Sequence, residues 1–218
     1  LIVFLAVSLS RQMARRNREH ELAQLRSARL ELELLKKHIQ PHFLLNSLNS
    51  IVAWVEEEPR TAGRLVNALA AELRMLLRHA GEKLIPLSEE LRLCRTHLEV
   101  MSLRQCKQFS LQTRDLRGDE QIPPLVIHTL VENGLTHGYD RKDEGTFVLR
   151  RENTSEGLRL VLHNDSRVKP REPSYTEGTG YRYVKTRLQE QYPGKWALDY
   201  GPADNSWSVT VELKGVNV

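Results

Sequence analysis

The sequence has little cysteine, and its two cysteines are not spaced like metal ligands or like a disulfide framework. Cys94 and Cys106 stand apart in the chain and form no CxxC pair. A small secreted domain held together by disulfides is therefore excluded, and this usage is typical of a reducing compartment. We expect both residues to be structural thiols.

The sequence also has no long hydrophobic run. The apolar stretch at residues 1–9 is too short to cross the hydrocarbon core, which takes about 20 helical residues, and no methionine opens the chain. Four arginines follow it, namely Arg11, Arg15, Arg16 and Arg18. We therefore expect residues 1–10 to end a transmembrane helix, with the rest facing the cytoplasm from a bacterial inner membrane. A secretory signal would carry its charge before the apolar stretch, whereas a buried N-terminal helix stays open.

Neither sign of charge is in large excess. The 32 Lys and Arg residues are set against 28 Asp and Glu residues, and the net charge of +4 is spread along the chain. This is weak evidence for binding to nucleic acid, and we predict no direct nucleic-acid partner. A hydrophobic content of 40% is ordinary for a globular protein.

Glycine is missing from residues 13–48, where proline occurs once, at Pro41. Apolar residues recur there at alternating steps of three and four, which predicts a short coiled coil. They are Leu25, Ala28, Leu32, Leu35 and Ile39. An exposed seam of this length needs a partner helix, most simply the same helix of a second chain, so we expect a homodimer.

Two further helices are predicted before residue 107. The first, Thr61–Ala80, follows a hairpin around Glu56–Pro59 and stops at Gly81. Its apolar side carries Leu65, Leu69, Leu73, Leu76 and Leu77. The second, Ser88–Leu103, can be capped by Ser88. We assign residues 11–81 to the coiled coil and the dimerisation helices, and residues 82–106 to a connector helix.

The second half changes to short alternating segments, which predict strands of a half-buried sheet. They are Phe109–Thr113, Thr146–Arg151, Leu158–Leu162 and Trp207–Leu213. Helices are predicted at Pro123–Gly138 and Tyr181–Gln191. Residues 107–218 should therefore form a two-layer α/β domain, so the fold class is α+β, with a helical dimerisation hairpin in front of this domain.

The segment His38–Ile51 contains a candidate nucleophile. Pro41 removes a helix hydrogen bond and bends the helix, so His42 lies at a local distortion. A neutral imidazole is a good phosphoryl acceptor, and Asn46, one turn later, could orient the ring or an attacking water. His42 could instead be a core histidine on the continued seam. His38 and His42 could also be half of a metal site, although the sequence has no HExxH motif.

A second cluster of polar residues ends an apolar helix, at Glu132, Asn133, His137 and Gly138. The Asn133 amide oxygen suits Mg²⁺ that bridges phosphates. Glu132 could accept a proton or orient a nucleophile. Taken alone, these residues could equally be satisfied polar groups at a helix end.

A third segment is the glycine-rich loop Gly178-Thr179-Gly180, which opens a helix. Backbone amides at such a helix start can approach phosphate oxygens. A lone GxG is a weak signal. Here it follows the Asn133 helix and a strand that ends at Asn164-Asp165-Ser166, an order that can surround one ligand.

Together these segments resemble the LytS/YehU-type sensor histidine kinases, whose phosphoacceptor segment reads approximately QINPHFLFNSLNSI. This chain has HIQPHFLLNSLNSI at His38–Ile51, and Ile85–Leu91 is similar to the connector of that family. The likeness runs from about residue 30 to the end. It implies a GHKL-type (Bergerat-type) ATP-binding domain at residues 107–218, with ATP and Mg²⁺ as cofactors.

The resemblance also implies a role for each candidate residue. His42 would take the γ-phosphoryl group and pass it to an aspartate of a response regulator, of LytTR type by the same likeness. Asn133 would hold Mg²⁺ in the N box, which contains Glu132, His137 and Gly138. The G1 box falls on Asn164, Asp165 and Ser166, and the G2 box on Gly178, Thr179 and Gly180, with the ATP lid between them.

Several positions depart from that family. Asn164 stands where the family has an adenine-recognising aspartate, and Ser166 replaces a glycine. Loss of binding does not follow, because an Asn carbonyl still accepts a hydrogen bond and Asp165 could substitute after a shift of one residue. We expect a weaker nucleotide affinity. Thr136 also replaces a frequent basic residue near the phosphates.

Two other functions are compatible with these residues. One is a degenerate, noncatalytic dimeric signalling scaffold, which the altered G1 box favours. The other is a GHKL ATPase of the chaperone or topoisomerase kind, which would give no role to the segment around His42.

Overall fold

The computed structural model describes residues 41–79, 81–139, 143–154, 157–166, 178–203 and 206–215, apart from some side chains that include those of His42 and His137. The chain divides into two compact units, residues 1–45 and 46–218. Of the described residues, only 41–45 belong to the first unit. The predicted membrane segment, the coiled-coil seam and the lid at residues 167–177 lie outside the described residues. In the ranges given above, no helix is long and apolar enough to span a membrane.

Helix α1 is Pro41–Glu57 and helix α2 is Pro59–His79. The Glu58 N–H donates to the Trp54 carbonyl at 2.9 Å, and the Glu58 carbonyl accepts from the Ala62 N–H at 3.0 Å. Because these helical bonds continue across Glu58, the described residues do not show the reversal predicted around Glu56–Pro59. The break falls at Glu58, and Pro59 takes the first position of α2, where a missing N–H costs nothing. Leu65, Leu69 and Leu76 are buried as predicted, but Leu77 is 55% exposed. That prediction was wrong because adjacent helical residues point about 100° apart.

The connector helix α3 is Leu87–Gln105, and its N-cap is Pro86 instead of the predicted Ser88. Carbonyl groups of a loop accept hydrogen bonds from the first backbone amides of α3. The Leu87 N–H donates to the Glu120 carbonyl at 2.7 Å, and the Ser88 N–H donates to the Gly118 carbonyl at 3.0 Å. A short antiparallel pair beside this loop, β1 (Ile85–Pro86) with β3 (Gln121–Ile122), fixes the same junction.

A five-stranded sheet forms one layer of the second half. Its strands are β2 (Gln108–Arg114), β4 (Glu144–Thr154), β5 (Gly157–Asn164), β6 (Trp196–Ala203) and β7 (Ser206–Lys214). The order is β2-β4-β5-β7-β6, with β2 and β4 parallel and the other pairs antiparallel. The predicted strands are confirmed. Strand β6 was missed because it contains Gly201 and Pro202, which an edge strand tolerates.

Helices form the other layer. Helix α4 is Val126–Gly138 and helix α5 is Thr179–Gln191. Aligned residues of three neighbouring strands, Leu149, Leu162 and Val209, are buried on one face of the sheet. Helix α4 lies close to the sheet, since a Cβ added to Gly134 would be 2.6 Å from the Phe147 ring. The α+β prediction is confirmed.

Candidate functional site

Helix α4 is anchored at its start by a carboxylate from α3. Its N-cap residue, Leu125, is in the left-handed region (φ 67°) and its apolar side chain accepts no hydrogen bond. The buried Glu90 carboxylate instead accepts from the Leu125 N–H at 2.9 Å and from the His128 N–H at 3.0 Å. Burial raises the pKa of Glu90. The start of the helix that carries Glu132 and Asn133 is thereby fixed.

The glycine-rich loop meets Asn133. Gly178 is the N-cap of α5, and Gly180 lies in its first turn. A Cβ on Gly180 would be 2.6 Å from both the Nδ2 and the Oδ1 of Asn133. Only glycine therefore fits at position 180 while Asn133 keeps its place.

The end of β5 meets the same helix one turn further on. A Cβ on Gly134 would be 2.7 Å from the Asn164 Nδ2, and a Cβ on Gly138 would be 2.7 Å from the Ser166 Oγ. The end of β5 and the start of α5 therefore both lie against α4, at the adjacent residues Gly134 and Asn133.

Asn164 and Ser166 form a closed hydrogen-bonded pair, and each is 4% exposed. The Asn164 Oδ1 accepts from the Ser166 Oγ at 2.5 Å and from the Ser166 N–H at 3.3 Å. Both acceptor positions of this oxygen are used. A purine amine could bind it only by displacing the Ser166 hydroxyl.

The Asp165 side chain does not join the Asn164 and Ser166 pair and is hydrogen-bonded elsewhere. Its Oδ1 accepts from the Tyr139 hydroxyl at 2.6 Å and from the Thr146 N–H at 3.0 Å. Burial, followed by the bond to Asp165, raises the pKa of Tyr139, so the phenol stays a donor. A one-residue shift that brought Asp165 to the position of Asn164 would break both bonds.

The remaining candidates are less fully defined. Asn46 lies on α1 and its carbonyl accepts from the Ser50 hydroxyl at 3.0 Å. Glu132 is half-buried on α4, and Thr179 is exposed at the start of α5. The side chains of His42 and His137 lie outside the description. The roles assigned to these residues stay predictions.

Three residues of this region were missed from the sequence: Glu90, Gly134 and Tyr139. Glu90 caps a helix more than thirty positions away in the chain, and no local pattern reports such a contact. Gly134 did carry a signal, because glycine is costly inside a helix and needs a packing reason.

The residues around Asn133 fit a magnesium nucleotide. The Asn133 Nδ2 is buried and has no hydrogen-bond partner among the described residues. Gly180 packs directly against this amide, since a Cβ at position 180 would lie 2.6 Å from the Asn133 Oδ1. A carboxamide oxygen is a hard ligand of the kind that Mg²⁺ prefers.

Comparison with known proteins gives consistent results. Residues 30–109 match the model of the histidine kinase family. The chain is 32% identical over 116 residues to the sensor protein LytS of Bacillus subtilis, covering 52% of this chain and 20% of LytS. It is 26% identical over 214 residues to the sensor histidine kinase BtsS of Escherichia coli, covering 96% of this chain and 37% of BtsS. The chain thus spans well under half the length of these relatives.

One solved structure supports the fold, and a second match is weaker. A structure titled as a bacterial phosphotransferase matches with a TM-score of 0.50 at 15% identity, covering 86% of this chain and 96% of the other. The histidine kinase domain of Erythrobacter litoralis EL346 blue-light activated histidine kinase matches with a TM-score of 0.48 at 18% identity, covering 87% and 94%. These matches relate this chain to the histidine kinases, whose family model covers residues 30–109. Among the curated relatives, the chain is similar to LytS and BtsS.

Proposed function

We propose that this chain is the cytoplasmic transmitter of a two-component sensor histidine kinase, which phosphorylates itself on His42 and passes the phosphoryl group to an aspartate of a response regulator. The observation that carries the proposal is that Gly180 lies against Asn133 of α4 and Asn164 lies against the adjacent Gly134. Residues of all three predicted nucleotide-binding segments are therefore close together, which supports the proposal. By family likeness the regulator is of LytTR type, and a membrane segment precedes this part of the protein.

Each residue has a defined task in the transfer. Asn133 would hold Mg²⁺, which would offset phosphate charge when bound. The start of α5, at Gly178, Thr179 and Gly180, presents backbone N–H groups and the positive end of the helix dipole to the phosphates. The remainder of the N box, His137 and Gly138, closes the site at the other end of α4.

Two further residues, Asn46 and Glu132, assist His42 as the phosphoryl acceptor. A ring nitrogen of His42 forms a bond to the γ-phosphorus as the bond from that phosphorus to its bridging oxygen breaks, and ADP leaves. Asn46 orients the His42 ring, and Glu132 accepts the ring proton. Positioning supplies most of the rate in such transfers.

ATP binding should be weak. The Asn164 Oδ1 already accepts two hydrogen bonds from Ser166, so adenine recognition has to replace one of them. The same observation favours the second candidate function, a noncatalytic dimeric signalling scaffold. A nanomolar affinity for ATP would contradict the weak-binding part of this proposal.

The homodimer has support in α1. Leu48, Val52 and Val55 recur at steps of four and three and are 51%, 74% and 54% exposed. Apolar residues at this spacing form one stripe along a helix. A second copy of the same helix would cover the stripe.

The test is phosphoryl transfer from radiolabelled ATP. The purified chain is incubated with Mg²⁺ and γ-labelled ATP beside His42→Ala, Asn133→Ala and the matched control His38→Ala. Label that is lost in acid, resists alkali, survives in His38→Ala and vanishes in the other two variants is expected. If no label forms and no nucleotide binds, the scaffold is the correct function.

A further inference from the structure

Three buried side chains from three different helices meet outside the nucleotide site. Glu72 of α2, His97 of α3 and His128 of α4 are 1%, 3% and 7% exposed. The proposed phosphoryl transfer uses none of them. An apolar cluster made by Met75, Leu76, Leu93 and Leu125 packs the same helices together.

The three side chains point at one another. The Glu72 Oε1 is 2.6 Å from the His97 Nδ1 and 3.6 Å from the His128 Nε2. The two imidazole rings stand edge to face, with their centroids 4.8 Å apart. One ligand atom from each residue can be chosen so that all three lie within 4.8 Å of one another.

Hydrogen bonding is incomplete at Glu72 and His128. The Glu72 Oε2 and the His128 Nε2 are buried and have no hydrogen-bond partner among the described residues. The 3.6 Å separation from the Glu72 Oε1 is too long for a hydrogen bond from His128. Buried polar atoms without partners destabilise a fold unless something else binds them.

We propose that Glu72, His97 and His128 bind a divalent transition-metal ion, with zinc as the ion whose chemistry fits best. Two imidazole nitrogens and one carboxylate oxygen are a frequent zinc ligand set. Tetrahedral zinc holds its ligand atoms about 3.3 Å apart, so the 2.6 Å contact between Glu72 and His97 opens by less than 1 Å when the ion replaces it. The second Glu72 oxygen, or a water, completes the coordination.

Two carboxylates and one guanidinium lie at or beside the cluster. The Glu90 carboxylate lies beside His128, whose backbone N–H it binds at 3.0 Å. With Glu72 it supplies two negative charges for a doubly charged ion. Arg104 interacts electrostatically with Glu72 and adds a positive charge at the edge of the cluster. Burial raises the pKa of Cys94, so this neighbour on α3 stays a neutral thiol.

Such an ion would have a structural role. It would link helix α2 and the connector α3 to His128, which lies one turn before Glu132 on the proposed nucleotide-binding helix. Because the ligands are buried, the ion would hold the three helices together instead of activating a water. Binding to the folded state alone raises the melting temperature.

The experiment measures zinc in the purified chain after its affinity tag has been removed and after dialysis against metal-free buffer. About one zinc per chain is expected, falling at least tenfold in Glu72→Gln and in His128→Gln. His79→Gln is the matched control, because His79 is also buried on α2 with a glutamate 2.7 Å from its Nδ1. Zinc should raise the melting temperature of the unsubstituted chain and of His79→Gln.

X-ray absorption at the zinc edge of the unsubstituted chain covers the case in which the variants fail to fold. A nitrogen and oxygen shell containing two imidazoles supports the site. The proposal is overturned if the unsubstituted chain retains no zinc, if the ligand variants retain as much as His79→Gln, or if absorption shows sulfur ligands. The cluster is then only a hydrogen-bonded carboxylate and imidazole pair.

Discussion

Gly178 and Gly180 are two residues apart, but only one of them faces another side chain. A Cβ on Gly180 would contact the Asn133 amide at 2.6 Å, whereas a Cβ on Gly178 would meet nothing within 4 Å. A Gly-x-Gly pattern does not distinguish the two positions, because both glycines look alike in the sequence. The pair therefore offers a substitution and its own control.

We predict that Gly180→Ala weakens ATP binding at least tenfold, about 1.4 kcal/mol, because the methyl group pushes Asn133 away from the phosphates. Gly178→Ala should change the affinity less than about twofold. Titration with a fluorescent ATP analogue in the presence of Mg²⁺ measures both. Equal affinities in the two variants would show that Gly180 does not border the nucleotide.

The G1 residues mark the limit of prediction from sequence at this scale. The sequence located Asn164, Asp165 and Ser166 at the end of a strand, which is where they lie. It did not show that the Ser166 hydroxyl donates a hydrogen bond to the Asn164 Oδ1 or that the Tyr139 hydroxyl donates one to Asp165. Both contacts depend on side-chain directions that spacing does not encode.

Helix α4 depends on a buried cap from another element. Glu90 of α3 accepts from two backbone N–H groups at the start of α4. If the carboxylate is removed, both donors stay buried without an acceptor, and each such donor costs about 1–3 kcal/mol.

We predict that Glu90→Ala lowers the free energy of unfolding by about 2–4 kcal/mol, measured by denaturant titration. Glu89→Ala, one residue away and hydrogen-bonded to the exposed Arg92, should cost less than about 1 kcal/mol. Similar losses in the two variants would mean that Glu90 is not the cap of α4.

The loop before β3 contains a second structural carboxylate. Glu120 accepts from the Arg117 N–H at 3.0 Å and from the Gly118 N–H at 2.6 Å, and lies 3.4 Å from the buried Arg151 Nε. Burial alone would raise the pKa of Glu120, but these backbone bonds and Arg151 together lower it below 4.5. The stabilisation by Glu120 is therefore present above the unfolded pKa and lost as the pH falls through the folded pKa.

We predict that Glu120→Gln lowers the free energy of unfolding by about 1–3 kcal/mol at neutral pH. The difference from the unsubstituted chain should shrink once the pH falls below 4.5. Asp119→Asn, at the adjacent exposed position, serves as the control. A difference that grows towards acid pH would contradict the assigned role of Glu120.

Most elements could be predicted because their apolar periodicity is regular. Helices α2 and α3 and strands β4, β5 and β7 each carry such a pattern. Strand β6 lacks one, because its position at the edge of the sheet permits Gly201 and Pro202. The start of α3 was misassigned because its first amides bind a loop near residue 120 and not a local serine.

At the scale of the whole molecule, the exposed apolar stripe of α1 suggests how two copies associate. Val52 is the most exposed of its residues, at 74%. We predict that Val52→Glu raises the dimer dissociation constant at least tenfold, about 1.4 kcal/mol, because it places a charge in the interface. Ala53→Glu, also exposed but on another side of the helix, should leave the dimer intact.

Light scattering after size-exclusion chromatography measures the dissociation of the dimer directly. At concentrations near the dissociation constant, the Val52→Glu mass should fall towards the 25.2 kDa of one chain. If both variants stay dimeric with unchanged dissociation constants, α1 does not form the interface.

Phosphoryl transfer from the nucleotide site to His42 is tested most directly by identifying the modified residue. The chain is incubated with ATP and Mg²⁺, kept at alkaline pH, digested and sequenced by tandem mass spectrometry. We predict phosphate on His42 in the unsubstituted chain and in Gly178→Ala, and its loss in Asn133→Ala. Phosphate on a different residue, or undiminished phosphate on His42 in Asn133→Ala, would contradict this function.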